Sequence, residues 1–378
     1  MFAQKSARVL SLVFALATAL TSALTSTPAR AATVFMASGA APADIQTTVD
    51  SFRAALGALN PNTSGFFISG RREINWDGVP NVSAAPNPLS GNFFNAQSPR
   101  GIVLSTPGTA LQVSATTSSG TAVRFGNINP SYATQFQTFS AERLFTAIGS
   151  NIVHVAFFVP GTTFPATVSG FGAIFTDVET AGSTKYTVFL GDGSNGGQFS
   201  VPTSASGGLS FLGLTDPRRY SRIIIQFGNA AGGAAVADNP GGGTDLVAMD
   251  DFIYGEPRAI APLDVDASVT TSKYAALTDG LIVVRYLLGL TGAALTQGAT
   301  IPTAGRNNAT DVKAYLDAIR GLLDIDGNGA FNAATDGVLV VRYLLGLRGT
   351  ALVSGAFDPL GSRNTIPLIE GHLQSLVP

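Results

Sequence analysis

Hydrophobic and polar positions alternate in three textures along this chain. Residues 9–20 are almost wholly apolar. Residues 43–58 place Ile45, Val49, Phe52 and Leu56 at helical spacing, which predicts one amphipathic helix. From there to residue 256 the apolar runs are short and punctuated by Gly, Pro, Asn and Ser. Those at 152–159, 166–178, 184–190, 223–227 and 247–254 read as strands. Many short strands with Gly-rich turns predict a β-sandwich over 32–256, mostly antiparallel and jelly-roll-like, with an N-terminal helix. Pro257 and Pro262 mark a linker at 257–262. Beyond it the texture becomes Leu-rich with helical periodicity, predicting a small all-α domain over 263–378. The expected fold is therefore multidomain.

The helical part is written twice. Residues 278–295 (TDGLIVVRYLLGLTGAAL) and 335–352 (TDGVLVVRYLLGLRGTAL) agree at fourteen of eighteen positions, at an offset of 57. The register continues through Pro302 and Pro359, Arg306-Asn307 and Arg363-Asn364, and Leu316 and Leu373. Each unit reads as acidic loop, helix, connector, second helix. The first helix of each unit is apolar nearly all round. One unit cannot cover it, so the two copies are expected to pack on each other.

The acidic loops carry the readable chemistry. Calcium takes six to eight oxygen ligands, best supplied by alternate residues of a tight loop. In copy two, Asp324, Asp326 and Asn328 hold positions one, three and five. Gly329 sits where the chain must turn, the Ala330 carbonyl follows as a ligand, and Asp336 closes the set at the next helix start. That acid falls one place later than in an EF-hand loop, near the positive end of the helix dipole, with Thr335 as its N-cap. A plain Gly/Asn turn would explain the glycines but not three oxygen side chains at alternate positions. Copy one offers Asp264, Asp266, Ser268 and Asp279, with Val269 in place of the glycine and three extra residues before the closing acid. It reads as a weaker calcium site or an empty structural loop.

The DxDxNG loop, the helix after it and the tandem duplication resemble the dockerin type I domain with its EF-hand-type loops. The TDG…VRYLLG wording is similar to dockerin-like modules of bacterial secreted proteins. The resemblance covers 262–378. It implies calcium held by Asp324, Asp326, Asn328 and Asp336, and by Asp264, Asp266 and Asp279, together with a cohesin-type partner. The late closing acid and the connector at 296–309 depart from the compact dockerin pattern. A shorter likeness sits in VAMDDFIYG, which resembles the closing strand of secreted jelly-roll domains. There, strand alternation turns either Asp250 or Asp251 inward. The expectation is a buried hydrogen-bonded carboxylate or a structural metal.

Composition narrows the function. Lys5 and Arg8, the apolar run and Ala29-Arg30-Ala31 read as a secretory signal peptide over 1–31. Without Lys5, Arg8 and Arg30 the balance is 19 basic against 24 acidic residues. No basic stripe suits nucleic acid, and no further stretch is long and apolar enough to span a bilayer. The absence of cysteine excludes thiol catalysis, disulfides and Cys-based zinc sites. His154 and His372 are the only histidines, and G-x-S-x-G, HExxH and P-loop motifs are absent. No catalytic or organic-cofactor residue is therefore assigned. Glu73 with Asp77, Asp177 with Glu179, and Asp250 with Asp251 could in principle form a glycosidase pair. Asp192 and the loop from Asp238 to Asp245 read as turns. Trp76, the one tryptophan, is the obvious sugar-stacking candidate. The expectation is a secreted, calcium-binding, non-enzymatic surface or matrix protein whose β domain binds a glycan or a surface protein. The alternatives are a secreted polysaccharide hydrolase with a dockerin-like appendage and a purely structural envelope protein.

Overall fold

The computed structural model describes residues 32–378 apart from Phe66, Asp192, residues 269–272 and Pro378. The expected signal peptide, Asp192 and Val269 lie outside the described residues. Among the described residues, twelve strands form one antiparallel, barrel-like sheet. In chain order they are β1 (Thr33–Gly39), β2 (Arg71–Ile74), β3 (Ile102–Ser105), β4 (Ala110–Val113), β5 (Phe145–Ile148) and β6 (Ile152–Phe157), then β7 (Ala166–Thr176), β8 (Lys185–Leu190), β9 (Asn195–Ser200), β10 (Leu209–Gln226), β11 (Ala248–Gly255) and β12 (Arg258–Ala259).

The single sheet replaces the expected two-layer jelly-roll sandwich, and β10 is the reason. Its 18 residues pair with β1 and β7 over 209–215, then with β6 and β8 over 220–226. One bent strand carries the ladder through both halves, so no boundary between two sheets arises. The bend falls at Asp216-Pro217-Arg218-Arg219. Pro217 has no N–H to donate, and Arg219 adopts φ 58.

The helix α1 (Pro42–Leu56) lies where the periodicity places it. Its Ile45, Val49, Phe52 and Leu56 are buried against Ile174, Leu209, Phe211 and Ile253 of the sheet. Two single-turn helices follow, α2 (Phe93–Ala96) and α3 (Tyr132–Gln135). The C-terminal part contributes α4 (Leu281–Leu287), α5 (Ala293–Thr296), α6 (Ala309–Ile319), α7 (Val338–Leu344), α8 (Thr350–Val353) and α9 (Ile366–Ser375).

These short helices do not make the separate all-α domain expected from the texture change. Residues 32–378 form one compact unit. A single hydrophobic cluster runs from Phe157, Phe171 and Phe252 of the sheet to Leu316, Leu322 and Leu373 of the helices. The supposed linker is part of the joint. Arg258–Ala259 pairs with β7, and the Tyr315 hydroxyl donates to the Pro262 carbonyl at 3.1 Å. Phe164 meets the Tyr315 ring edge-on with centroids 5.2 Å apart. Helices of four to eleven residues cannot enclose a core alone, so they use the sheet as a wall. Among the described residues no helix is long and apolar enough to cross a membrane.

The two copies do pack on each other, through the glycines of their TDG motifs. A Cβ on Gly280 would lie 3.2 Å from Val341 Cγ2, and one on Gly337 would lie 3.1 Å from Val284 Cγ2. Neither glycine needs a positive φ. Each is small because the other copy's valine approaches there.

Candidate metal centres

Each acidic loop folds back onto the start of the following helix. The closing acids Asp279 and Asp336 sit in π-helical turns, Ala276–Gly280 and Ala333–Gly337, that lead into α4 and α7. Such turns are uncommon and gather at functional sites. The Asp279 carboxylate accepts from Val265 N at 2.6 Å, Asp266 N at 3.2 Å and Ala275 N at 2.9 Å. Asp336 repeats this with Ile325 N at 2.6 Å, Asp326 N at 3.4 Å and Asn332 N at 2.8 Å. Each closing acid therefore ties the loop to the helix through backbone donors.

The result is two buried carboxylate triads. Asp264, Asp266 and Asp279 each bring an oxygen within 4.8 Å of the others, and Asp324, Asp326 and Asp336 do the same. Asp266, Asp279, Asp326 and Asp336 have no exposed surface. Burial is the largest influence on Asp279, whose carboxyl is pushed up to about 6. It also raises Asp264 and Asp336 above the ordinary range. Neighbouring acids add to the effect, Asp266 acting on Asp279 and on Asp264, and Asp326 on Asp336. Three carboxylates packed out of water repel one another unless protons or a cation intervene.

The triads differ at their middle acid. Asp266 Oδ2 is buried with no hydrogen-bond partner among the described residues. Its counterpart in copy two, Asp326 Oδ2, accepts from Asp358 N at 2.8 Å. A buried carboxylate oxygen without a donor is the kind of ligand a hard cation takes. With only oxygen ligands in each triad, the set suits calcium or magnesium rather than a softer metal.

The other expected ligands lie at the rim. Asn328 and Ala330 are exposed, and Asn328 Oδ1 accepts from Ala330 N at 2.8 Å. Gly329 has φ 81, as the turn position requires. Ser268 is buried and donates its N–H to Asp264 and Asp266, both at 3.0 Å.

Two contributions were not singled out from the sequence. Arg306 Nε donates to the Val265 carbonyl at 2.7 Å and its Nη2 to the Asp264 carbonyl; Arg363 does the same to Ile325, at 2.8 Å, and to Asp324. Each arginine holds the first turn of its own loop. The matched Arg-Asn pairs in the 57-residue register were the signal. Asp358 is the other; copy one has Ile301 at that register position, so nothing in the sequence pattern marked it.

Asp250 and Asp251 are both buried and both partnered. Asp250 accepts from Phe139 N at 2.6 Å, Asp251 accepts from Ser140 Oγ at 2.7 Å, and Arg53 lies 3.5 Å from Asp251. Burial and the neighbouring acid hold Asp250 well above the carboxylate range. The other carboxylates weighed as acid/base pairs are also engaged. Glu73 is bound by Arg53 and Arg71, and Asp77 accepts from Arg143 N. Asp177, Glu179 and Asp238 form a third group. Burial raises Asp177 to about 6 and Glu179 to about 7. Trp76 is core: it stacks on Phe145 with centroids 4.2 Å apart and donates to the Asp250 carbonyl. His154 is half-buried on β6, and His372 is buried with its Nε2 on the Leu322 carbonyl at 2.9 Å.

No family model matches the chain, and no curated protein matches it. Among solved structures, the enzymatically active domain of tailspike protein 4 of bacteriophage CBA120 aligns with 44% of this chain and 20% of its own length. The identity is 13% and the TM-score 0.23, too slight a likeness to carry fold or function.

Proposed function

We propose that this is a secreted, calcium-binding, non-enzymatic protein in which two metal-locked, dockerin-like loops fix a duplicated helical layer against a β-sheet. The observation that carries the reading is the pair of buried carboxylate triads, one in each copy of the repeat, one with an oxygen that has no hydrogen-bond partner among the described residues. Asp264, Asp266 and Asp279 would hold one ion, and Asp324, Asp326 and Asp336 the other. A bound cation would supply the positive charge that three buried acids lack and would fix the entry of α4 and α7. The loop carbonyls and water would complete the oxygen shell.

The docking side of the reading rests on leucines repeated in both copies. Leu288 and Leu345 are 63% and 60% exposed, and Leu290 and Leu347 are 37% and 38% exposed. Large apolar side chains left in water at equivalent positions of a repeat suit a protein partner. The burial of Trp76 removes the clearest sugar-stacking ring, which favours a protein over a glycan. The test is thermal unfolding of residues 32–378 with calcium and with chelator. The reading requires a melting temperature that rises with calcium and keeps rising with its concentration. An unchanged melting temperature would refute it.

A further inference from the structure

A cavity of about 410 Å³ opens where the bend of β10, β12 and the C-terminal helices meet. That is within the size range of small-molecule sites, roughly 300–1,000 Å³. Its walls combine four cationic side chains, Arg218, Arg219, Arg258 and Lys273, with the apolar side chains of Leu190, Ile260, Leu322 and Leu376. Arg218 is paired with Asp216 at 2.6 Å, whereas neither Arg219 nor Arg258 has an ion pair among the described residues. Arg219 spends its donors on uncharged oxygens, with Nε to Thr167 Oγ1 at 2.9 Å and Nη2 to the carbonyls of Thr167 and Glu256 at 2.5 and 3.1 Å. The nearest acid, Glu256, is already saturated. Its carboxylate accepts from Arg72 Nε and Nη2 at 2.6 and 2.7 Å, from Asn60 Nδ2 at 2.8 Å and from Phe67 N at 3.1 Å.

Arg219 and Arg258 thus share a half-buried, largely apolar cleft with the further positive charges of Arg218 and Lys273. Burial, then the Arg258 charge, lowers Arg219 to about 9, and burial also lowers Arg258. The backbone is shaped to this end as well. Arg219 and Ala261, both lining the cavity, have φ of 58 and 53. Non-glycine residues in that region are strained, and such strain collects at functional sites.

We propose that this cleft binds a small organic carboxylate, its charged end between Arg219 and Arg258 and its apolar body against Leu190, Ile260, Leu322 and Leu376. Guanidinium groups match carboxylates in geometry and charge. The apolar walls select an anion with a hydrocarbon body over a bare inorganic one. No residue of the carboxylate triads lines this cavity.

The test is calorimetric titration of residues 32–378, in calcium, with hexanoate, hexanamide and inorganic phosphate. Hexanoate should bind, and hexanamide, its neutral counterpart, should bind at least about tenfold more weakly. Arg258→Gln should lose hexanoate by a similar factor while unfolding close to the parent's temperature, since the Arg258 guanidinium makes no hydrogen bond or ion pair among the described residues and its one opposite charge, Glu256, is already bound by Arg72. Ile260→Glu, which sets a carboxylate at the exposed mouth, should block hexanoate as well. The proposal is overturned by hexanoate and hexanamide binding alike, by undetectable hexanoate binding, or by phosphate binding more tightly than hexanoate. Undiminished hexanoate binding in both folded variants would also overturn it.

Discussion

Single side chains decide much of this molecule, and the TDG glycines are the clearest case. Gly280 and Gly337 lie against Val341 and Val284 of the opposite copy. Gly337→Val should therefore overpack the seam and lower stability by about 1–3 kcal/mol, read as a shift in the urea midpoint. A neutral result would mean that the copies do not close on these residues. The buried pair of Arg72 and Glu256 is a second case, with both side chains essentially without exposure. Glu256→Gln leaves Arg72 charged and unmatched, a change of about 3–5 kcal/mol when one partner of a buried pair is removed. His372 gives a pH signature. Burial lowers it from 6.5 to about 4, so the folded state excludes the proton that the unfolded chain accepts. Stability from this group is present above pH 6.5, falls as pH drops towards 4, and changes no further below that. Comparing urea midpoints of the parent and His372→Gln at pH 7 and pH 5 isolates the effect. The parent should lose more on acidification than the variant, and equal losses would exclude the assignment.

At the scale of elements, periodicity was readable wherever one face alone is buried. The positions of Ile45, Val49, Phe52 and Leu56 mark α1 because only that stripe meets the sheet. The run at 152–159 similarly marks β6, whose burial alternates, whereas β7 is buried at nearly every residue and on both faces. The loops were legible because ligand spacing is set by local chain geometry, and the structure brings all six acids of the two triads together. Their supports were less so. Arg306 and Arg363 reach back about forty residues to carbonyls, which no local pattern announces. These arginines fix the backbone that carries the acids. Arg363→Gln should weaken calcium binding at the second loop by about tenfold, as loss of a supporting contact around a metal does, and leave the first loop unchanged. Equal affinities in parent and variant, read by calorimetry, would contradict this.

For the whole molecule, the texture change near residue 257 looked like a domain boundary and is a joint within one unit. Pro257 and Pro262 punctuate the chain, yet the segment between them adds to β7 and supplies a carbonyl to Tyr315. Composition reports which elements form, whereas a shared core depends on pairings far apart in sequence, such as Phe164 with Tyr315. The bend in β10 is hidden for the same reason. Pro217 and its charged neighbours read as a break, and only 223–227 reads as a strand, yet the chain continues as one strand that changes neighbours at the bend. A shared core should unfold in one cooperative step, with calorimetric and van't Hoff enthalpies equal for residues 32–378. Two separated transitions would restore the two-domain description.

The central claim is that the triads are metal sites, and calcium titration calorimetry on residues 32–378 tests it most directly. The account predicts two calcium ions per chain, with Asp266→Asn abolishing one and Asp326→Asn the other. Titration heats no larger than those of dilution would contradict it.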